Sequence, residues 1–279
     1  MARHFVDIWL AETSKLFSRF TAKMGLILAA LLGVLGPVFL WIAMNADMTW
    51  NGAQVAESID ATSPLALQIG LELRNFFILR AFVIVLAALS FAAEYRAQTI
   101  REDLIRPVPR WMVPVSKWLA VNTWIAATLL VAWVFGGLLA VVVFGFDGEW
   151  MRPLSGYGVT FLADAGFASL VLLVAVASRS VAGTVAGVLL FLVLDTMLGW
   201  ALTLISWASE LFAGMGLQLS ETMERAVALQ PWLPSSAFGV WSGYAARTDW
   251  DWRSFVSLAV LTVTCVVLSE RVFNRLDVP

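Results

Sequence analysis

The sequence predicts an all-α membrane protein: six transmembrane helices with an N-terminal amphipathic interfacial helix and short outer-leaflet helices between spans five and six. Three observations lead there. Of 279 residues, 60% are hydrophobic and only 14% charged, a balance that fits embedding in lipid. Six stretches reach the roughly 20 mostly apolar residues that cross a bilayer at about 1.5 Å per residue. Lysine and arginine also gather on alternate connections, as cytoplasmic segments require.

The same composition excludes other classes. Formal net charge is −2 and no long basic run occurs, so no nucleic-acid partner is expected. One cysteine, Cys265, and one histidine, His4, cannot build an internal disulfide or the usual Cys/His zinc clusters, and no metal site is expected.

Residues 1–23 are too long and too mixed in charge for the leading region of a signal peptide, and the apolar run behind them can span a bilayer, so the segment reads as uncleaved. At about 100° per residue, Phe5, Val6, Trp9, Leu10, Leu16, Phe17 and Phe20 share one face. Asp7, Glu12, Ser14, Lys15, Ser18 and Arg19 fill the other, with Ile8 a misfit. That pattern predicts a helix lying in the membrane surface.

The spans are expected at about 24–45, 75–93, 118–146, 158–178, 184–207 and 254–270. Pro37 falls inside the first, where neighbouring helices can re-satisfy the freed carbonyl. The third is longer than the bilayer requires and must tilt or project. Arg3, Lys15, Arg19 and Lys23 precede the first span. Arg96, Arg101, Arg106, Arg110 and Lys117 separate the second from the third, and Arg179, Arg271 and Arg275 complete that side. Only Arg74, Arg152, Arg225, Arg247 and Arg253 fall on the other, so both termini are expected in the cytoplasm. Of the outer segments, 45–74, 147–157 and 208–253, the last has apolar residues at helical spacing and predicts short helices at or within the outer leaflet. Trp50, Trp150, Trp232, Trp241, Trp250 and Trp252 sit on this side and suit an interfacial belt, with a direct role in substrate binding as the alternative.

Between the second and third spans lies "EYRAQTIREDLIRPVPRWMVPVSK", residues 94–117, the largest inner connection. Residues 95–105 hold no Pro or Gly and can extend the second span as a helix. Pro107, Pro109 and Pro114 are expected to stop that helix and turn the chain back. The result is a short, stiff, charged elbow.

Here the chain resembles the permeases of type 2 ABC transporters, the ABC-2 family. The resemblance rests on Glu94, Thr99, Leu104, Pro107, Val108, Arg110 and Lys117, with Gln98 and Ser116 where that family often has glycine. The surface helix, "ASRSVAG" between the fourth and fifth spans, "LPSSAF" before the sixth and the terminal "FNRLDV" extend it over most of the chain. It implies a bacterial or archaeal inner-membrane permease that pairs with a second copy and docks a separate ATP-binding subunit through the elbow. It also implies outward transport. The coupling residues would be Glu94, Arg96, Thr99, Arg101, Glu102, Asp103, Arg106 and Arg110. Independently, the chain has no G-x-x-x-x-G-K-[ST] loop, so no catalytic residue is expected here and ATP and magnesium belong to the partner. The elbow's charges suit an electrostatically matched joint that transmits a rocking motion. They also satisfy the inner positive bias and could bind anionic lipid head groups. Three prolines that fix a shape favour docking.

Arg80, Asp164 and Asp195 lie within spans, where charge is costly. Measured from Glu94, Arg179 and Gly183 at helical rise, they sit roughly 21, 22 and 18 Å from the inner edge and so share one layer. Arg80 pairing with one or both aspartates would fix helix packing; alternatively the three line a water-filled path. Gly183 and Gly187 permit close helix approach, within one copy or between two. Two further functions fit parts of the pattern. One is an ABC-2-like scaffold whose motor drives assembly or mechanical work on periplasmic partners. The other, an intramembrane aspartyl hydrolase using Asp164 and Asp195, lacks the Gly-x-Gly-Asp pattern of such enzymes.

Overall fold

Lipid offers no hydrogen-bond partners, so a chain this apolar must satisfy its backbone within helices. The computed structural model describes residues 2–46, 49–50, 53–54, 61–75, 78–96, 109–146, 148–214, 225, 227–240 and 252–275. Helix α1 covers Ala2–Ser18 and α2 covers Phe20–Asn45, separated by Arg19 with extended backbone. A small antiparallel ribbon follows, β1 at Thr49–Trp50 and β2 at Ala53–Gln54. Then come α3 (Ser63–Asn75), α4 (Ile78–Arg96), α5 (Met112–Phe144), α6 (Met151–Ser178) and α7 (Val181–Gly214). A 3-10 turn at Gln230–Trp232, the short α8 (Pro234–Phe238) and α9 (Trp252–Asn274) complete the order. Among the described residues, α2, α5, α6, α7 and α9 are each long and apolar enough to cross a membrane. Helices α3 and α4, bent by 48° from one another, together make a sixth.

That broken span differs from the simple second span of the sequence reading. Residues 63–75, assigned there to an outer loop, form a helix whose Pro64, Leu67, Leu71 and Arg74 are buried. The spacing is helical, but Gln68, Glu72 and Arg74 lower the mean hydropathy below that of a span. Pro114 also differs from expectation. It stands in the first turn of α5, where a missing N–H costs no hydrogen bond, so that helix begins inside the elbow.

Helix α6 is the hub. In its most apolar stretch 78% of residues are buried, against 17% in α7 and in α9. Small residues explain this: Gly156, Ala163, Gly166, Ala168, Ser169 and Ala175 are all buried. A Cβ on Gly166 would collide with Leu258 of α9, so glycine there sets the approach of the two helices. At its end α6 turns into α7 through Arg179 in the left-handed region (φ 55°). Ser180 then caps α7, its Oγ accepting from the Gly183 N–H at 2.9 Å. Gly187 faces Val174 of α6, which places the Gly183/Gly187 pair inside one copy's hairpin.

A second close seam joins α2, α3 and α5. The Gly33 site abuts the Ala132 backbone, the Gly36 site abuts Ala66 and Gly70, and the Gly136 site abuts Gly33. Trp124 of α5 fills the space over Gly25, and its Nε1 donates to the Ala22 carbonyl at 3.0 Å. At the end of the bundle away from the elbow, Trp232 and Trp252 meet edge to face at 6.3 Å and Trp150 stacks on Phe146 at 4.9 Å. These are three of the six tryptophans expected on that side; Trp241 and Trp250 lie outside the described residues.

Gly36→Val should therefore force backbone apart and lower stability by about 1–3 kcal/mol. Gly158→Ala, with open space around its Cβ, should raise it by up to about 1 kcal/mol through helix propensity. Thermal unfolding of both variants in detergent reads the difference directly.

Candidate functional site

At the elbow end, three helices meet on one lysine. Lys117, near the start of α5, is fully buried (0% exposed). Its Nζ donates to Glu12 Oε2 of α1 at 2.7 Å and to Glu94 Oε2 near the end of α4. Lys15 Nζ reaches Glu12 Oε1 at 2.8 Å, and Arg19 Nη2 lies 3.8 Å from Glu94 Oε1. A buried ammonium is tolerated only when paired and hydrogen-bonded, and here two carboxylates supply that. Trp9 Nε1 donates to Thr123 Oγ1 at 3.2 Å and Phe5 packs on Trp111 at 5.8 Å, extending the seam between α1 and α5.

These contacts correct the reading of α1. Glu12, placed on the polar solvent face, is 5% exposed. The bundle side of α1 carries Ile8, Trp9, Glu12 and Leu16, while Val6 and Leu10 remain exposed beside it. Ile8 is no misfit; it belongs to this second face. Burial pushes the Glu12 carboxyl up, but the charge and hydrogen bond of Lys117, aided by Lys15, outweigh it and hold it below the ordinary glutamate value.

Of the coupling residues, Thr99, Arg101, Glu102, Asp103 and Arg106 lie outside the described residues. Arg96 closes α4, and its side chain is not described. Arg110 is exposed on the turn before α5, where the Met112 N–H donates to the Pro109 carbonyl at 3.0 Å. Glu94 turns inward onto Lys117, so its contribution is to hold the base of the elbow.

The intramembrane layer centres on Asp164 of α6. Its Oδ2 accepts from Arg74 Nη1 at 2.7 Å, and its Oδ1 lies 3.9 Å from Arg80 Nε. Arg74 is 2% exposed and also donates to Asn75 Oδ1 at 2.9 Å and Thr128 Oγ1 at 3.1 Å. Asn75 Nδ2 in turn donates to Thr160 Oγ1 at 3.2 Å. The sequence reading counted Arg74 among outer-loop charges. It is instead the closest partner of Asp164, and the signal for it was its helical register with Leu67, Gly70 and Leu71, all buried.

Arg80 lies over the Phe167 ring at 5.7 Å and its Nη2 donates to the Phe238 carbonyl of α8. Phe238 is buried edge to face on Phe167 at 5.4 Å. Asp195 is held by the hydroxyl and backbone N–H of Ser235. The two aspartates thus have separate partners, and the "LPSSAF" segment reaches into the bundle to meet both Arg80 and Asp195. Against α7 it encloses a cleft of about 380 Å³ lined by Thr196, Gly199, Trp200, Thr203, Gln230 and Ser235, among others. Among the described residues no group of three or more His, Cys, Asp or Glu side chains could hold a metal.

Removing the carboxylate of a buried pair strands the other charge, so Asp164→Leu should cost about 3–5 kcal/mol, and adding Arg74→Met should recover only part of it, because Arg80 also faces Asp164. A double-mutant cycle on detergent melts measures the coupling. At the elbow end, a carboxyl with a lowered folded pKa stabilises fully above its unfolded value and loses that contribution as pH falls through the folded one. The anchoring of α1 should therefore be fully present above about pH 4.5, weaken progressively below it, and be lost once pH passes the lowered folded value. Protection of the Trp9 backbone amide in hydrogen exchange follows this, and Glu12→Gln should flatten the profile.

With this geometry in place, comparison with known families is direct. The family described as ABC-2 family transporter protein matches residues 12–199, more than half of the chain. No curated protein matches it. The matched region begins at the glutamate that holds Lys117 and takes in the elbow, Arg74, Arg80, Asp164 and Asp195. The chain belongs to the ABC-2 transporter family and is a permease subunit of an ABC transporter.

Proposed function

We propose that this permease works as one of two identical copies in the cytoplasmic membrane, each docking a separate ATP-binding subunit through residues 94–117 and together exporting cargo. The observation that carries the reading is the Lys117 node. It grips both ends of the elbow and the surface helix α1 with buried, charge-assisted bonds, so force applied to the elbow moves helices instead of bending a loop. Helix α4 continues from Glu94 to Arg80, a rigid distance of about 21 Å, and Arg80 holds the Phe238 carbonyl beside the cleft. A push at the elbow is thereby delivered to the far half of the bundle.

Hydrolysis belongs to the partner, which brings ATP and magnesium, since this chain has no phosphate-cradling loop. The elbow's charges, Arg96, Arg101, Glu102, Asp103, Arg106 and Arg110, meet that partner, while Glu94 stays with Lys117. Asp164 and Asp195, with separate partners, do not form the shared-proton pair that an aspartyl hydrolase uses.

Arg101→Glu combined with Arg106→Glu should reduce copurification with the ATP-binding subunit and uncouple its ATPase from transport. The permease melt should stay within about 0.5 kcal/mol of the parent if these charges serve the partner and not the fold. Unchanged copurification and coupled activity would contradict the docking assignment.

A further inference from the structure

The cleft between α7 and the "LPSSAF" segment has a chemistry of its own. Thr196, Gly199 and Thr203 recur along one stripe of α7, and Trp200 beside them is 67% exposed. Opposite stand Gln230, Ser235, Ser236 and Gly239. Gln230 Nε2 donates to Thr203 Oγ1 at 3.1 Å, and Ser236 Oγ donates to the Gln230 carbonyl at 2.7 Å. These bonds orient the lining groups across the cleft. An indole face beside hydroxyl and amide groups offers a flat apolar platform with hydrogen-bond donors and acceptors at its rim.

Charge narrows the ligand further. Among the described residues no lysine or arginine lines the cleft, and Asp195 accepts hydrogen bonds from Ser235, one of the lining residues. Arg80, the nearby cation, is engaged by Asp164 and by the Phe238 carbonyl. A phosphate would therefore find no cation among the described lining residues, whereas an uncharged polyol would have its hydroxyls met by the dipoles that line the cleft. Depth and surroundings fit an amphiphile. Trp200 lies about 7.5 Å outward of Asp195 along α7, close to the polar boundary of a hydrocarbon core about 30 Å thick. Below it on the same stripe, Leu189, Val193 and Met197 are exposed, a track on which acyl chains can lie.

We infer that this cleft binds the uncharged, hydroxyl-rich head group of an amphiphile, a sugar ring stacked on Trp200 with its hydroxyls met by Thr203, Gln230 and Ser236. The inference rests on the permease reading only in making this amphiphile the cargo; the binding itself needs no motor.

The test uses the full-length chain in phosphatidylcholine nanodiscs carrying equal fractions of monoglucosyl-diacylglycerol and phosphatidylglycerol, with retained lipid counted by native mass spectrometry. The glucosyl lipid should be kept over phosphatidylglycerol by at least about tenfold, and Trp200→Ala or Gln230→Leu should abolish that preference. Trp200→Phe and Thr203→Ser, which keep a ring and a hydroxyl, should largely preserve it, separating lost recognition from lost folding. Equal retention of both lipids, or retention unchanged in Trp200→Ala and Gln230→Leu, overturns the site. So does efficient disulfide cross-linking of Trp200→Cys between two copies, which would assign this face to a second permease. A failed lipid preference with intact ATPase coupling removes the cleft alone, whereas intact preference without coupling removes the transporter mechanism.

Discussion

One buried carboxylate organises the middle of this bundle. Asp164 lies on α6, the most enclosed helix, and its two oxygens face Arg74 of α3 and Arg80 of α4. An aspartate at that depth is costly unless compensated, and the two arginines come from either side of the break between α3 and α4. The pair therefore determines how the broken span enters the bundle. Thr128, Asn75 and Thr160 complete the arginine's and asparagine's hydrogen bonds from α3, α5 and α6. Two cations on one anion leave an excess of positive charge, and the Phe238 carbonyl absorbs part of it from Arg80. The same charge balance thus draws the "LPSSAF" segment inward.

The Lys117 node answers a different problem at the other end of the bundle. A long charged connection keeps a fixed direction only if its ends are held. Fully buried Lys117 has its hydrogen-bonding capacity met by Glu12 and Glu94, which face it from two helices. The cost of breaking that arrangement is what makes the elbow's base stiff. Helix α4 then joins the two centres, with Glu94 in one and Arg80 in the other. Mechanical continuity between elbow and cleft follows from a helix pinned at both levels by buried charge.

Parts of the site were legible in the residues. Arg80 and Asp164 stood out because ionisable groups inside apolar runs must be paired, and they are neighbours. Lys117 was marked only by resemblance, since a lysine at the end of an inner loop is ordinarily a solvated charge. For Asp195 the sequence offers a level but no single partner: Arg80 could take one or both aspartates, and Ser235 is what meets it. Depth along a helix constrains height but not azimuth, so nothing in one sequence could choose Ser235 over Arg80. Arg74 and Glu12 were misplaced because each was judged by its charge. Their helical registers, with Leu67 and Leu71 for one and Trp9 and Leu16 for the other, already put them on buried faces.

The sequence by itself determined that this chain is a helical membrane protein with spans near the helices observed, because apolar length and the distribution of arginine are local properties that lipid reads directly. It also singled out residues 94–117 as the polar exception. Only the tertiary structure decided that the second span is broken, that Pro114 lies in a helix, and that Glu12, Glu94 and Lys117 converge. The same holds for the inward course of the "LPSSAF" segment. The physical reason is that a buried charge takes its partner from whichever helix packs against it, and that neighbour is chosen by seams of small residues such as Gly33, Gly36, Gly70 and Gly136, whose meeting is not written in any one segment.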